Sequence, residues 1–358
     1  MTINQPRRRA TIHDVAKRAG VSITTVSHAL NGKGVIADAT RKRVVETAAD
    51  LGYSPDAIAR GLRSRRLGIL GLVIRPLDTL GSYQPEGVDY FLRFAGAAAV
   101  EALDRGYGLA LMRDPTVGNA PGIALAADGF IISDPVASDP VIELLTRNGI
   151  AVVAVGRDIE RPEFSAWLGA GTHTNTDAVI QHFLERGATR IAIVTGEDNN
   201  SWNADSELTY RAWAAECGQA PLVYHQDEGL GEAGGRALAE RMLASGEPLP
   251  DAIYCLTGRH AAGMQAGLQA AGYLIPDDIM IASGSDSEQT RNSAPPITSI
   301  DLAPEATAKA AVTFLVELLD GVPDADPGAD PDSDGGGDPV PPEVDYRIRD
   351  RASTRSIG

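Results

Sequence analysis

The chain has 358 residues, 43% hydrophobic and 22% charged, the make-up of a soluble protein with room for two or three domains. Its net charge of −16 argues against nucleic-acid binding only until it is divided: residues 1–66 carry 13 Lys/Arg against 5 Asp/Glu, a balance of +8, and the remainder carries −24. The basic start lacks the apolar stretch of a secretory signal, the run 68–74 is far short of a membrane span, and Cys217 and Cys255 are expected to stay reduced, so a cytoplasmic protein without a membrane partner is expected.

Short helices come first. Thr11 is placed to cap a helix, Asp14 completes a box, and Ile12, Val15, Ala16 and Ala19 recur at helical spacing before Gly20. A second helix is expected from about Ser22 to Leu30, stopping at Asn31-Gly32. A third starts near Asp38, is expected to bury Val44, Val45, Ala48 and Leu51, and ends at Gly52. Ser54-Pro55-Asp56 then offers a cap, a first-turn proline and an acidic residue for a short helix to about Ser64. From Leu67 onward, apolar strands at 68–74, 109–112, 129–132, 150–155, 190–195, 221–225, 251–256 and 278–283 alternate with helical stretches such as 88–105 and 138–148. That alternation predicts two doubly wound lobes of parallel sheet covered by helices, with a break near 157–168. Residues 321–342, rich in Asp, Pro and Gly, read as a flexible surface loop, after which 343–351 can return as a strand.

The spacing Ala16-x3-Gly20-x5-Val26 fits a helix-turn-helix. Small Ala16 lets the second helix approach, Gly20 takes a turn conformation that a Cβ opposes, and Val15, Val21, Val26 and Ala29 close the core. The second helix then presents Ile23, Thr24, Thr25, Ser27 and His28, and the N-terminal residues of such a helix reach base edges in the major groove. A helical bundle that uses Ala and Gly for packing alone is the alternative.

The run ATIHDVAKRAGVSITTVSHALNGKGVIADATRKRVVETAADLGYSPDAIARGLRSRRLGILGLVI resembles the LacI/GalR family of bacterial transcription regulators. HFLERGATRIAIVTG, DAIYCLTGRHAAGMQAGLQAAGYLIPDDIMIASGSD and the late RDRAST are similar to it more loosely. The resemblance implies an all-α headpiece, a hinge helix and a two-lobed α/β core like a periplasmic sugar-binding protein. It implies that Ile23, Thr24 and His28 read the major groove, with Thr25, Ser27 and Asn31 near the backbone and Thr11 in the same DNA-binding set. In the hinge helix, Leu62 would wedge into the minor groove, Ala59 would allow close approach, and Arg63 would lie beside them. An isolated eight-residue helix containing Gly61 is marginal in water, which suits a helix that forms only on DNA. One reading helix covers few base pairs, so a homodimer on a near-palindromic double-stranded operator is expected. RASTRSIG carries no leucine heptad that would extend the dimer to a tetramer.

The same resemblance places a small-molecule effector, a sugar or sugar derivative, between the lobes. Tyr90 and Phe91 would line the cleft from the first lobe, and Arg211, Trp213, Thr257 and Asp286 from the second. An Arg–Asp pair with aromatic stacking suits a polyol. Thr257-Gly258 stands where many relatives carry Asn-Asp. The alternatives are local: Tyr90 and Phe91 as core, Arg211 paired with Glu207 or Glu216, Asp286 as a helix cap. Gly229-Leu-Gly231-Glu-Ala-Gly234 matches a dinucleotide fingerprint literally, but Gln226-Asp227-Glu228 separate it from the strand. Asp330-x-Asp332-x-Asp334-Gly335 opens like a calcium loop but has Pro341 at its twelfth position. No cofactor, metal or enzyme constellation is expected.

The expected division is a headpiece over 1–54, a hinge over 55–66, a first lobe of 67–165 plus 298–320, and a second lobe of 166–297 plus 321–358. The function that follows is a DNA-binding transcription regulator, most simply a repressor. A cytosolic sugar-binding protein and a ligand-blind DNA binder are the alternatives.

Overall fold

The computed structural model describes residues 10–30, 34, 36–53, 66–75, 89–117, 125–169, 171–321, 344 and 346–355. The chain divides into two compact units, Met1–Leu67 and Gly68–Gly358.

In the first unit, α1 (Ile12–Ala19), α2 (Ile23–Leu30) and α3 (Asp38–Asp50) enclose Val15, Ala16, Ala19, Val26, Ala29, Val44 and Ala48. The Thr11 N–H donates to Asp14 Oδ2 at 2.8 Å while the Asp14 N–H donates to Thr11 Oγ1 at 3.4 Å, the reciprocal box expected at the start of α1. Gly20 closes α1 with φ +66°, where a side chain would be strained. One expectation fails here. Val45 is 48% exposed, because it lies about 100° around α3 from buried Val44 and so faces solvent.

The second unit holds two sheets. The first, in the order β2-β1-β3-β4-β5, is parallel throughout: β1 (Ile69–Ile74), β2 (Gly108–Met112), β3 (Gly129–Ser133), β4 (Ala151–Val155) and β5 (Trp167–Leu168). Helices α4 (Asp89–Asp104) and α5 (Pro140–Arg147) belong to this lobe. The second sheet has the order β11-β10-β9-β8-β6-β7. Its strands β6 (Ile191–Thr195), β7 (Leu222–His225), β8 (Ala252–Cys255), β9 (Met280–Ser283) and β10 (Thr298–Asp301) run parallel, and β11 (Arg347–Arg349) is antiparallel at the edge. Helices α6 (Thr172–Glu185), α7 (Ser201–Glu216), α8 (Gly231–Ala244), α9 (Gly258–Ala270) and α10 (Glu288–Asn292) serve that lobe. The last helix, α11 (Pro304–Gly321), returns to the first lobe and sets Ala308, Ala311, Phe314 and Leu315 against Leu70, Leu72 and Ile131.

The sheet pairing moves two expected lobe boundaries. Trp167 and Leu168 pair with Ala154 and Val155, so residues 166–168 complete the first lobe. Thr298 and Ser299 pair with Ala282 and Ser283, so 298–301 belong to the second. Apolar patterning identifies a strand but not the sheet that it joins.

The glycine-rich stretch at 229–235 is a packing device. A Cβ on Gly235 would lie 2.2 Å from the His260 carbonyl oxygen, and one on Gly263 would lie 2.0 Å from that of Glu232. Helices α8 and α9 therefore pack backbone to backbone. Among the described residues, no helix is long and apolar enough to cross a membrane.

Candidate functional site

In the first unit, α2 carries most of the expected reading residues. Ser22 caps it by accepting from the Thr25 N–H at 3.0 Å, and Arg41 Nη1 donates to the Ala29 carbonyl at 3.3 Å near its other end. Val26 and Ala29 face inward, at 0% and 4% exposure. Ile23, Thr24 and His28 are exposed, while Thr11, Thr25 and Ser27 are half-buried. Lys17 and Arg18, in the last turn of α1, are also exposed. A helix anchored on one side, with Ile23 and Thr24 exposed in its N-terminal turn and basic groups on its neighbour, has a form that can enter a groove and meet phosphates. Asn31, Ala59, Leu62 and Arg63 lie outside the described residues, as do the acidic 321–342 stretch beyond Gly321 and its calcium-like motif.

In the second unit, strand carboxyl ends of the two lobes are joined by direct contacts. Val136, after β3, makes an isolated bridge with Asn200, after β6, and the Ala137 N–H donates to the Asn199 carbonyl at 2.8 Å. Arg157, after β4, pairs with Asp205 of α7 at 2.5 Å. Arg291 of α10 reaches Asp89 at the start of α4 at 2.8 Å. Carboxyl ends of parallel strands are where open α/β sheets bind ligands.

Two carboxyls stand out at this junction. Asp134 follows β3 with φ 53° and accepts from Ser133 Oγ at 3.2 Å. Burial, with Asp198 adding, pushes it up to about 6. Asp198 follows β6, and burial with the nearby Glu228 and Asp227 pushes it up to about 6 as well. The charges acting on both are acidic, whereas the arginines of this region are engaged: Arg75 with Asp114 and Asp139, Arg157 with Asp205, Arg291 with Asp89. Tyr90 is half-buried, and its phenol is pushed well up by burial and then by Asp134.

The expected cleft residues divide. Tyr90 lies near Asp134 and stacks on Phe94 at 6.3 Å, while its neighbour Phe91 packs on the first lobe's core. Thr257 caps α9, accepting from the His260 N–H at 3.3 Å. Arg211 and Asp286 are each engaged within the second lobe. Arg211 is 47% exposed and donates to Glu207 Oε1 at 2.7 Å, and Glu207 also bonds His225 at 2.8 Å. Asp286 is held by Arg351 at 2.9 Å, by Ser299 Oγ at 3.2 Å and by Thr290 Oγ1 at 3.1 Å. Trp213, 8% exposed, belongs to the second lobe's core beside Tyr210.

Two family models match the chain: bacterial regulatory proteins of the lacI family over residues 11–56, and a periplasmic binding protein-like domain over 180–332. Among curated relatives, the HTH-type transcriptional repressor PurR of Vibrio campbellii is 27% identical over 322 residues, covering 87% of this chain and 92% of its own. PurR of Haemophilus influenzae is 26% identical over 330 residues, with 87% and 91% covered. The chain belongs to the LacI/GalR family of bacterial transcription regulators. The fold agrees. The lac repressor dimer bound to operator and the anti-inducer ONPF is similar with a TM-score of 0.77 at 19% identity, covering 98% of this chain and 100% of that one. The CelR–cellobiose complex has a TM-score of 0.65 at 22% identity, covering 96% and 100%.

As a LacI/GalR protein the chain is a DNA-binding regulator rather than an enzyme. Sequence reasoning did not single out Asp134, Asp198 or Asp205, the acidic side chains that the structure brings to this junction. The available signal was positional: each follows the carboxyl end of a strand, directly or within the next helix, where ligands of this fold class are met.

Proposed function

We propose that this LacI/GalR regulator is a repressor that binds a near-palindromic operator as a homodimer. A small polar effector, a sugar or sugar derivative between the lobes, sets its affinity for DNA. The observation that carries the DNA half is α2: Val26 and Ala29 seal its inner side, and Ile23, Thr24 and His28 stay exposed on it. Thr25 and Ser27 would approach the phosphate backbone, with Asn31, and Ala59, Leu62 and Arg63 would act in the minor groove. The operator-bound dimer and the cellobiose complex among proteins of similar fold motivate the dimer and the sugar.

Asp134 and Asp198 support the effector half. Ionised carboxylates are acceptors only, and hydroxyls of a polyol would supply their donors. Tyr90 adds an apolar face beside Asp134. An effector that binds one lobe arrangement better than another shifts the DNA-bound population by that difference and no more.

The test is a gel shift with DNA from upstream of the chain's own gene, run with and without sugars that raise the melting temperature in a thermal-shift panel. Specific binding that a sugar changes supports both halves. Specific binding with no stabilising sugar favours a ligand-blind binder. A stabilising sugar with no DNA shift favours a sugar-binding protein.

A further inference from the structure

We infer that Ile23 reads a thymine C5-methyl group in each operator half-site, so that one position of the recognised sequence is chosen by apolar contact rather than by hydrogen bonding. This rests on the DNA-reading role proposed above for α2. Ile23 is the first residue of α2 and is 41% exposed, while Val26, one turn on, is sealed at 0%. It takes no part in the head's core, whose partly buried rim is Ile12, Val21, Leu30, Ile36, Leu51 and Tyr53. A lone exposed aliphatic side chain is ordinary on a protein surface. The place of this one is not, because the N-terminal turn of a reading helix reaches base edges.

The neighbours leave Ile23 prominent. The Thr25 N–H donates to Ser22 Oγ at 3.0 Å and the two hydroxyls lie 2.8 Å apart, so Thr25 is turned back onto the cap. Ile23 and the exposed Thr24 remain at the tip. Isoleucine has neither donor nor acceptor. The major-groove edge of every base presents polar groups, and thymine alone adds a methyl. Opposite any other edge, Ile23 would take polar groups out of water without replacing their hydrogen bonds. Opposite thymine, its branched tip meets the one apolar group that the groove offers.

The experiment uses the full chain. A half-site is first obtained by selecting bound duplexes from a random pool. Each thymine in it is then replaced by deoxyuridine, which removes only the methyl. One thymine per half-site is expected to weaken binding about fourfold when its methyl is lost, the worth of one buried carbon. Ile23→Ala is expected to bind the thymine and deoxyuridine duplexes equally at that position. Ile23→Val, which keeps a branched apolar tip, is expected to retain the penalty. Ile23→Gln is expected to move the preference there toward adenine. All three variants should keep the wild-type melting temperature, since the side chain is outside the core. A half-site in which no thymine methyl matters overturns the inference, and so does a penalty undiminished in Ile23→Ala. A pool that enriches no sequence overturns the DNA-reading role and this inference with it, whereas enrichment without methyl sensitivity overturns this inference alone.

Discussion

The head and the core build their sites in opposite ways. In the head, the residues proposed to read DNA occupy consecutive turns of one helix, α2, and the cap that fixes it is close in sequence, Ser22 to Thr25, with Arg41 reaching across from α3 and the Thr11–Asp14 box fixing the start of the neighbouring α1. In the core, the junction of the lobes gathers Asp134, Arg157, Asp198, Asp205 and Asp89 from separate elements, through contacts spanning up to 202 positions. A site made of local contacts survives as a unit and fails as a unit. A site made of distant ones depends on the packing of both lobes.

The sharpest way to break that contrast is Val26→Asp. It places an unpaired carboxylate at a position with 0% exposure in a small core, and is expected to cost more than about 4 kcal/mol, enough to unfold the head. Specific binding in a gel shift should be lost, while the calorimetric transition of the core persists. Loss of both would show that the two units do not fold separately.

Arg157→Ala tests the core in the same spirit. It leaves Asp205, 9% exposed, without its partner across the lobes, and a cost of about 1–3 kcal/mol is expected because the arginine is itself 36% exposed. Thermal unfolding of the core measures it, and DNA binding by the head in the absence of effector should change far less.

Asp134 gives a pH signature. Its folded carboxyl lies at about 6, above the ordinary aspartate value near 3.9 expected of the unfolded chain. The folded state thus holds a proton that the unfolded state has released. The stabilisation is full below about pH 4 and is lost as pH rises through about 6. Asp134→Asn, a residue that tolerates φ 53°, is expected to raise stability at pH 7.5 by about 1–3 kcal/mol and to flatten the dependence of melting temperature on pH between about pH 4 and 6.5. An unchanged pH profile would show that the carboxyl is ordinary. The same variant should weaken the effector's stabilisation.

What was legible in the sequence follows the same division. The Thr11–Asp14 box, the turn at Gly20 and the inward Val15, Val26 and Ala29 are short-range patterns, and all are present. The alternation of strands and helices gave two parallel lobes, but not that β5 joins the first sheet and β10 the second, which is decided by long-range pairing. Site residues taken by resemblance carried residue type without direction. On α7, Tyr210 points inward, its hydroxyl donating to the Ile191 carbonyl at 2.7 Å, and Trp213, three residues on, follows it into the core. Arg211 follows Glu207 by four and shares its face. Asp286, which the resemblance places at the ligand, is also held by Arg351, 65 positions away. No local pattern announces that contact.

Arg211 therefore gives the smallest expected effect and a clean discrimination. It is 47% exposed, and its pair with Glu207 is an i,i+4 surface contact, worth about 0.3–0.5 kcal/mol. Arg211→Ala should shift the melting temperature by little more than a degree and leave the effector's stabilisation intact, whereas Asp134→Asn should reduce that stabilisation. If Arg211→Ala abolished the effector response and Asp134→Asn did not, the ligand would contact the outer side of α7, and the role given to the carboxyls after β3 and β6 would fall.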